Sequence, residues 1–397
     1  MQKIRILSVF GGGVRSIFPA MILMELERRL IEKSNRQLRL SDCFDLVAGT
    51  SIGGLITALI LAPMDKDEKP YAMNHIYDLV KQILIKIFLF NSDTDEKLIR
   101  DPDYSSQCFG DCMADIFAHL EIKDLVKPSL ITAYEPNRNW LAFFKSHYAK
   151  LLPEYNFYIN DAISATCAMP FYFNPVVTRS FSDKIVRAYS FIDILKDADQ
   201  RNEILSILKQ NKVISDNGEI LKNLDEFNNN TLSLPANYVL YQDNIYDILQ
   251  RIQNPQMTFL DGALFANNPS MPAFIEANTI FNQDQAKREI LLVSLGNGKS
   301  QIHREYSTNI NQKFVSQLLS RLFSCSEKLG HFQTYHTAKM LGYSDNYYHF
   351  TPIIDASASD KINDVRKDNL ALLENIALNY INDISEHLDC LVDKLLD

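Results

Sequence analysis

Residues 44–54 read Phe44-Asp45-Leu46-Val47-Ala48-Gly49-Thr50-Ser51-Ile52-Gly53-Gly54. Phe44 to Ala48 is a short apolar run, as expected of a strand buried on both faces. Gly49 to Gly54 is a turn, and Leu55 to Leu61 is an apolar helix ended by Pro63. Inside the turn lies G-x-S-x-G. Between a strand and a helix this pattern is a nucleophile elbow. The turn is too tight for side chains beside the serine, and the helix start behind it supplies free N–H groups. The competing reading is a serine that caps a helix in a tight βα turn.

Upstream the same grammar appears. Ile4 to Phe10 reads as a buried strand and Gly11-Gly12-Gly13 as a sharp turn. A helix then runs to Leu30, with Pro19 where a first turn tolerates it. Two strand–turn–helix units in a row predict a parallel sheet with right-handed crossovers. Downstream, Ser129–Ala133 and Glu289–Leu295 are candidate strands, and Ala162–Ala168 a small-residue helix closed by Met169-Pro170. Phe259-Leu260 leads into Asp261-Gly262. From Asp368, Leu370, Leu373, Ala377, Ile381, Ile384, Leu388, Leu391 and Leu395 form one apolar stripe, which predicts a C-terminal helix packed on the domain. The expected fold is a three-layer α/β/α sandwich around a mostly parallel sheet.

Composition narrows the function. Of 397 residues, 46% are hydrophobic and 22% charged, enough for a large core. The net charge of −9 argues against nucleic-acid binding by bulk electrostatics, so no nucleic-acid partner is expected. The six cysteines lack disulfide spacing, and Cys108/Cys112 stand alone as a C-x3-C pair, so reduced cysteines and no metal are expected. No apolar run reaches the ~18 residues of a membrane span. The N-terminal apolar run is cut short by glycines, so it reads as a strand and not a signal peptide.

Two further signals carry chemistry. In Gly11-Gly12-Gly13-Val14-Arg15, glycines let backbone amides approach an anion with no Cβ in the way. Beside a nucleophilic serine they would hold an oxyanion. Gly11, Gly13 and Ser16 also come close to G-x-G-x-x-G, so a nucleotide site and a plain structural turn stay open. Leu260-Asp261-Gly262-Ala263 places a carboxylate at a strand end. A serine nucleophile needs a base, and desolvation lifts a carboxylate towards that task; the alternative is an Asp that caps its own turn.

Taken in order, these stretches resemble the patatin-like phospholipase family, which has a glycine-rich oxyanion loop, a G-x-S-x-G elbow some 40 residues later and a distal D-G-[GA]. Ala165–Phe173, Ser294–Gly298 and the tail around Asn369-Leu370 are similar to the family as well. The resemblance implies a lipid acyl hydrolase of phospholipase A type with no cofactor and no catalytic metal, working at membrane phospholipid. It implies Ser51 and Asp261 as a catalytic dyad, and Gly11, Gly12, Gly13, Arg15 and Ile52 around the oxyanion hole. It also implies a protein or nucleotide activator in bacterial members. Such a chain is expected in the cytoplasm, or secreted without a signal peptide as an effector. Phe10 stands where the family usually has Asp, and Ser16 where it usually has Gly. A binding module that has lost activity on the same fold is the alternative those departures suggest.

The expected domain is 1–178 with 257–397, interrupted by 179–256 as a cap or regulatory insertion. No histidine after Asp261 sits in a signature loop, which disfavours a Ser–His–Asp triad. Ile83–Phe90 reads as a core helix, with an acyl-channel wall or a segment that dips into the membrane interface as its other readings.

Overall fold

The structure is a computed structural model, and it describes residues 3–64, 69–88, 102–181, 206, 209–210, 256–281, 288–301 and 312–397. Most of the expected 179–256 insertion lies outside the described residues.

The chain opens with β1 (Lys3–Val9), a 3-10 turn at Gly13–Ser16 and α1 (Ile17–Ser34). Then come β2 (Leu46–Gly49), α2 (Ile52–Leu61), α3 (Met73–Phe88) and α4 (Pro102–Phe117). β3 (Ser129–Glu135), β4 (Trp140–Phe144), α5 (Ile159–Thr166) and β5 (Val176–Arg179) follow. β6 (Gln256–Asp261), α6 (Ser270–Phe281), β7 (Glu289–Leu295), α7 (Gln312–Met340), β8 (Tyr347–Phe350), α8 (Lys367–Asp383) and α9 (Ser385–Leu396) complete the set used below.

The main sheet runs β5-β6-β3-β2-β1-β7-β8, with β4 paired to β3. β3, β2, β1, β7 and β8 are mutually parallel; β4, β5 and β6 are antiparallel to their neighbours. The sheet is covered on both faces because β1 is apolar on both. Leu7 and Val9 join the larger core under α1, α2 and α3, while Ile4 and Ile6 pack with Ala273, Phe274 and Ala277 of α6. Helix, sheet and helix layers result, as the sequence predicts.

The register positions the site. Gly49 ends β2 opposite Ile131 of β3. β4 occupies the other edge of β3, so β6 continues on the β2 side and places Asp261 opposite Ala133. Asp261 thus lies roughly 7 Å further along β3 than Gly49, at two residues of strand rise. β5 and β6 pair from Val176↔Phe259 to Arg179↔Gln256, so the chain leaves for 180–255 and returns side by side.

One expectation needs correction. The C-terminal stripe belongs to two helices, broken at Ile384 (φ −96°, ψ 13°). Arg29 of α1 holds the break, donating to the carbonyl and the hydroxyl of Ser385. Periodicity cannot register a break that keeps the apolar face in phase. Leu373, Ala377, Leu388 and Leu391 are all buried.

Candidate active site

Ser51 caps α2 with φ 54° and ψ −130°, a positive φ that a residue with a side chain rarely adopts. The surroundings enforce it. A Cβ on Gly49 would lie 2.2 Å from the Gly53 carbonyl, and one on Gly53 would lie 2.4 Å from that of Val9. Ser51 N–H donates to Thr166 Oγ1 at 2.8 Å, and the Ser51 carbonyl accepts from Gly54 and Leu55. Beside it, Thr50 Oγ1 bonds Thr132 Oγ1 at 2.8 Å and donates to the Ala266 carbonyl at 2.6 Å. The elbow is therefore tied to β3 and to the segment after Asp261.

Ser51 Oγ donates to Asp261 Oδ2 at 2.8 Å, across 210 positions of chain. Asp261 is 1% exposed, and its Oδ1 accepts the Ala263 N–H at 2.8 Å. Burial pushes its carboxyl up to about 7, against the Ala263 and Ser51 hydrogen bonds that pull it down. A carboxylate poised there is matched to taking a proton near neutral pH. The fully buried Cys167 thiol lies against the same pair. Desolvation first, then the Asp261 charge, pushes it well up and keeps it a neutral thiol.

The glycine loop closes one side. The Gly11 amide is already donated to the Asn267 carbonyl at 3.3 Å. Among the described residues the amides of Gly12, Gly13 and Ile52 have no internal acceptor, and all three residues line the same cleft as Ser51. Gly13 has φ 54°, and a Cβ there would collide with the Ile362 carbonyl. Asn297 is fully buried; its Nδ2 donates to the Gly11 carbonyl and its side chain packs where a Gly12 Cβ would stand. Arg15 lines the cleft too, with Glu327 of α7 within electrostatic reach. Phe10 is wholly buried with its ring 5.7 Å from that of His349, and Ser16 Oγ is buried with no partner among the described residues.

All seven residues singled out from the sequence (Gly11, Gly12, Gly13, Arg15, Ser51, Ile52 and Asp261) line one cleft. Its far wall is apolar: Ile87 and Phe88 end α3, Phe109 comes from α4, Met169 and Phe173 follow α5, and Phe323 comes from α7. The Ile83–Phe90 stretch is a core helix as far as it is described, and its end borders the cleft. Ile83, Leu84 and Ile87 are core, and the end of the helix is cleft wall. Leu89 and Phe90 lie outside the described residues.

No described histidine lines the cleft. His349 is half-buried with Nδ1 3.0 Å from Ser294 Oγ, and desolvation pushes it down to about 3; His387 is exposed. His303 lies outside the described residues. Sequence reasoning assigned no role to Thr166, Cys167, Asn267 or Asn297. Thr166, Cys167 and Asn297 lie in stretches that resemble the family, but only tertiary packing brings the four residues to the site.

Residues 7–193 match the family model described as patatin-like phospholipase. The match holds the glycine loop and Ser51 and stops short of Asp261. The chain is 32% identical over 195 residues to patatin-like protein 4 of Arabidopsis thaliana, covering 48% of each chain. It is 32% identical over 181 residues to patatin-2-Kuras 3 of Solanum tuberosum, covering 44% of each. The alignments thus span about half the length of the curated relatives. A crystal structure of VipD from Legionella pneumophila aligns over 98% of this chain and 88% of its own at 10% identity, with a TM-score of 0.21, too low to bear on fold or function. Over residues 7–193 the chain is thus similar to the patatin-like phospholipase family.

Proposed function

We propose that the chain is a lipid acyl hydrolase of phospholipase A type, working through Ser51 and Asp261. The observation that carries this reading is the 2.8 Å hydrogen bond from Ser51 to a desolvated carboxylate at the polar end of an apolar cleft. In the first step Ser51 Oγ attacks the ester carbonyl carbon and its proton passes to Asp261 Oδ2. The amides of Gly12, Gly13 and Ile52 bind the oxyanion, each donor worth about 3–4 kcal/mol of barrier. The tetrahedral intermediate collapses, Asp261 returns the proton to the departing alcohol oxygen, and an acyl ester stays on Ser51. Water then attacks that ester and gives a proton to Asp261. Collapse passes it to Ser51 Oγ and frees the fatty acid. The wall of Ile87, Phe88, Phe109 and Phe173 suits an acyl chain, so a glycerophospholipid ester is the proposed substrate.

The test is a fluorophosphonate probe with phosphatidylcholine vesicles. The expected result is a covalent adduct on Ser51 and fatty-acid release, both lost in Ser51→Ala. Equal release by wild type and Ser51→Ala would refute the proposal.

A further inference from the structure

α7 is two-sided, and the proposed chemistry uses only one side. Gly330, Thr334 and Ala338 are buried and lie one turn apart. A Cβ on Gly330 would come within 3.0 Å of the Asn268 carbonyl, so this side is pressed on the domain. On the opposite side Leu318, Leu322, Cys325, Leu329 and Phe332 follow one another at steps of four, three, four and three residues. At ~100° per residue, these and Met340 fall within an arc of about 80°. All six are exposed, Leu329 by 55%, Phe332 by 59% and Met340 by 86%. Single exposed apolar residues are ordinary, but an aligned stripe from Leu318 to Phe332, over about 21 Å of helix, is not; exposed His336 then separates it from Met340.

Charge selects the occupant. Exposed Lys328 and Lys339 run along one flank of the stripe. Across residues 312–340 four cations stand against a single acid, Glu327, in a chain whose net charge is −9. Glu327 faces Arg15 and Asn267 at the cleft and not the stripe. The other flank carries Ser326 and Gln333, so a second copy laid on the stripe would offer those cations no acidic partner. An anionic lipid surface offers one to each.

We propose that the outer face of α7 is an interfacial docking surface for an anionic phospholipid bilayer. The choice of lipid as partner rests on the hydrolase reading, because α7 also sends Phe323 into the cleft wall. The helix would lie in the headgroup plane, its leucines and Phe332 in the acyl boundary and its lysines among phosphates. The acyl cleft would then begin about one helix diameter from the lipid.

The experiment is flotation of the full chain on non-hydrolysable vesicles of ether-linked phosphatidylcholine, with and without ether-linked phosphatidylglycerol. Wild type is expected to float with the anionic vesicles, and Leu329→Glu/Phe332→Glu to lose at least about a hundredfold in partition. Lys328→Gln/Lys339→Gln is expected to lose about fivefold per cation. Thermal melts show that the variants are folded. Three results would overturn the proposal: no flotation by wild type, equal partition onto neutral and anionic vesicles, or a dimer that the double Glu variant dissolves. Ser51→Ala is expected to float like wild type. Failure of fluorophosphonate labelling would therefore count against the hydrolase, and failure of flotation against the docking face.

Discussion

Replacing Asp261 by Asn is expected to remove activity and add stability in the same molecule. Burial lifts this carboxyl from 3.8 to about 7. Between those pH values the folded chain keeps a proton that the unfolded chain has released, so this group's contribution falls as pH rises through the window and is least favourable above 7. About three pH units correspond to about 4 kcal/mol. An amide carries no such cost. It also keeps the local bonds, with Oδ1 accepting from Ala263 and Nδ2 donating to Ser51. The ceiling on the gain is therefore about 4 kcal/mol at pH 8.5, shrinking to nearly nothing near pH 4. With about 0.8 kcal/mol/K of unfolding entropy for 397 residues, the melting temperature should rise by up to about 5 °C. Turnover should fall by about 10²–10⁴-fold with loss of the base. Wild-type kcat/KM should rise with pH and level off above about 7. Melts of both proteins at pH 4 and pH 8.5 decide the matter. A variant no more stable than wild type at pH 8.5 would refute the idea of a desolvated carboxylate, and a variant that keeps its turnover would refute its role as base.

Three further outcomes follow from the same geometry. Ser51→Gly should be about 1 kcal/mol more stable than Ser51→Ala, since both lose the bond to Asp261 and only glycine adopts φ 54° without strain; equal melting temperatures would count against a strained elbow. Thr166→Val leaves the Ser51 N–H without its acceptor, and should cost about 1–3 kcal/mol in melts along with a fall in kcat. Ile87→Trp fills the apolar wall and should shift preference towards shorter acyl chains in a chain-length series; an unchanged preference would place the acyl chain elsewhere.

The local signals were legible because each is a short-range requirement of the backbone. Gly49 and Gly53 must be glycine for the elbow to close, and that need is written within five residues. β1 and β2 read as buried strands because both faces of the sheet are covered, which removes polar alternation. The glycine loop was visible for the same reason. Its donor set was not: Gly11 looks like its neighbours in sequence, and only the carbonyl of Asn267, over 250 residues away, takes its amide out of use. The break at Ile384 was hidden likewise, because Arg29 imposes it from another helix.

The amino-acid order alone thus determined the parallel core, the serine turn and the presence of an acid at a strand end. Folding decided that the acid is the serine's partner. β6 takes over the edge of β3 where β2 stops, and that pairing sets Asp261 beside Ser51. Folding also decided the acid's proton affinity, because desolvation depends on which atoms surround a carboxyl, and those atoms come from segments far apart in the chain.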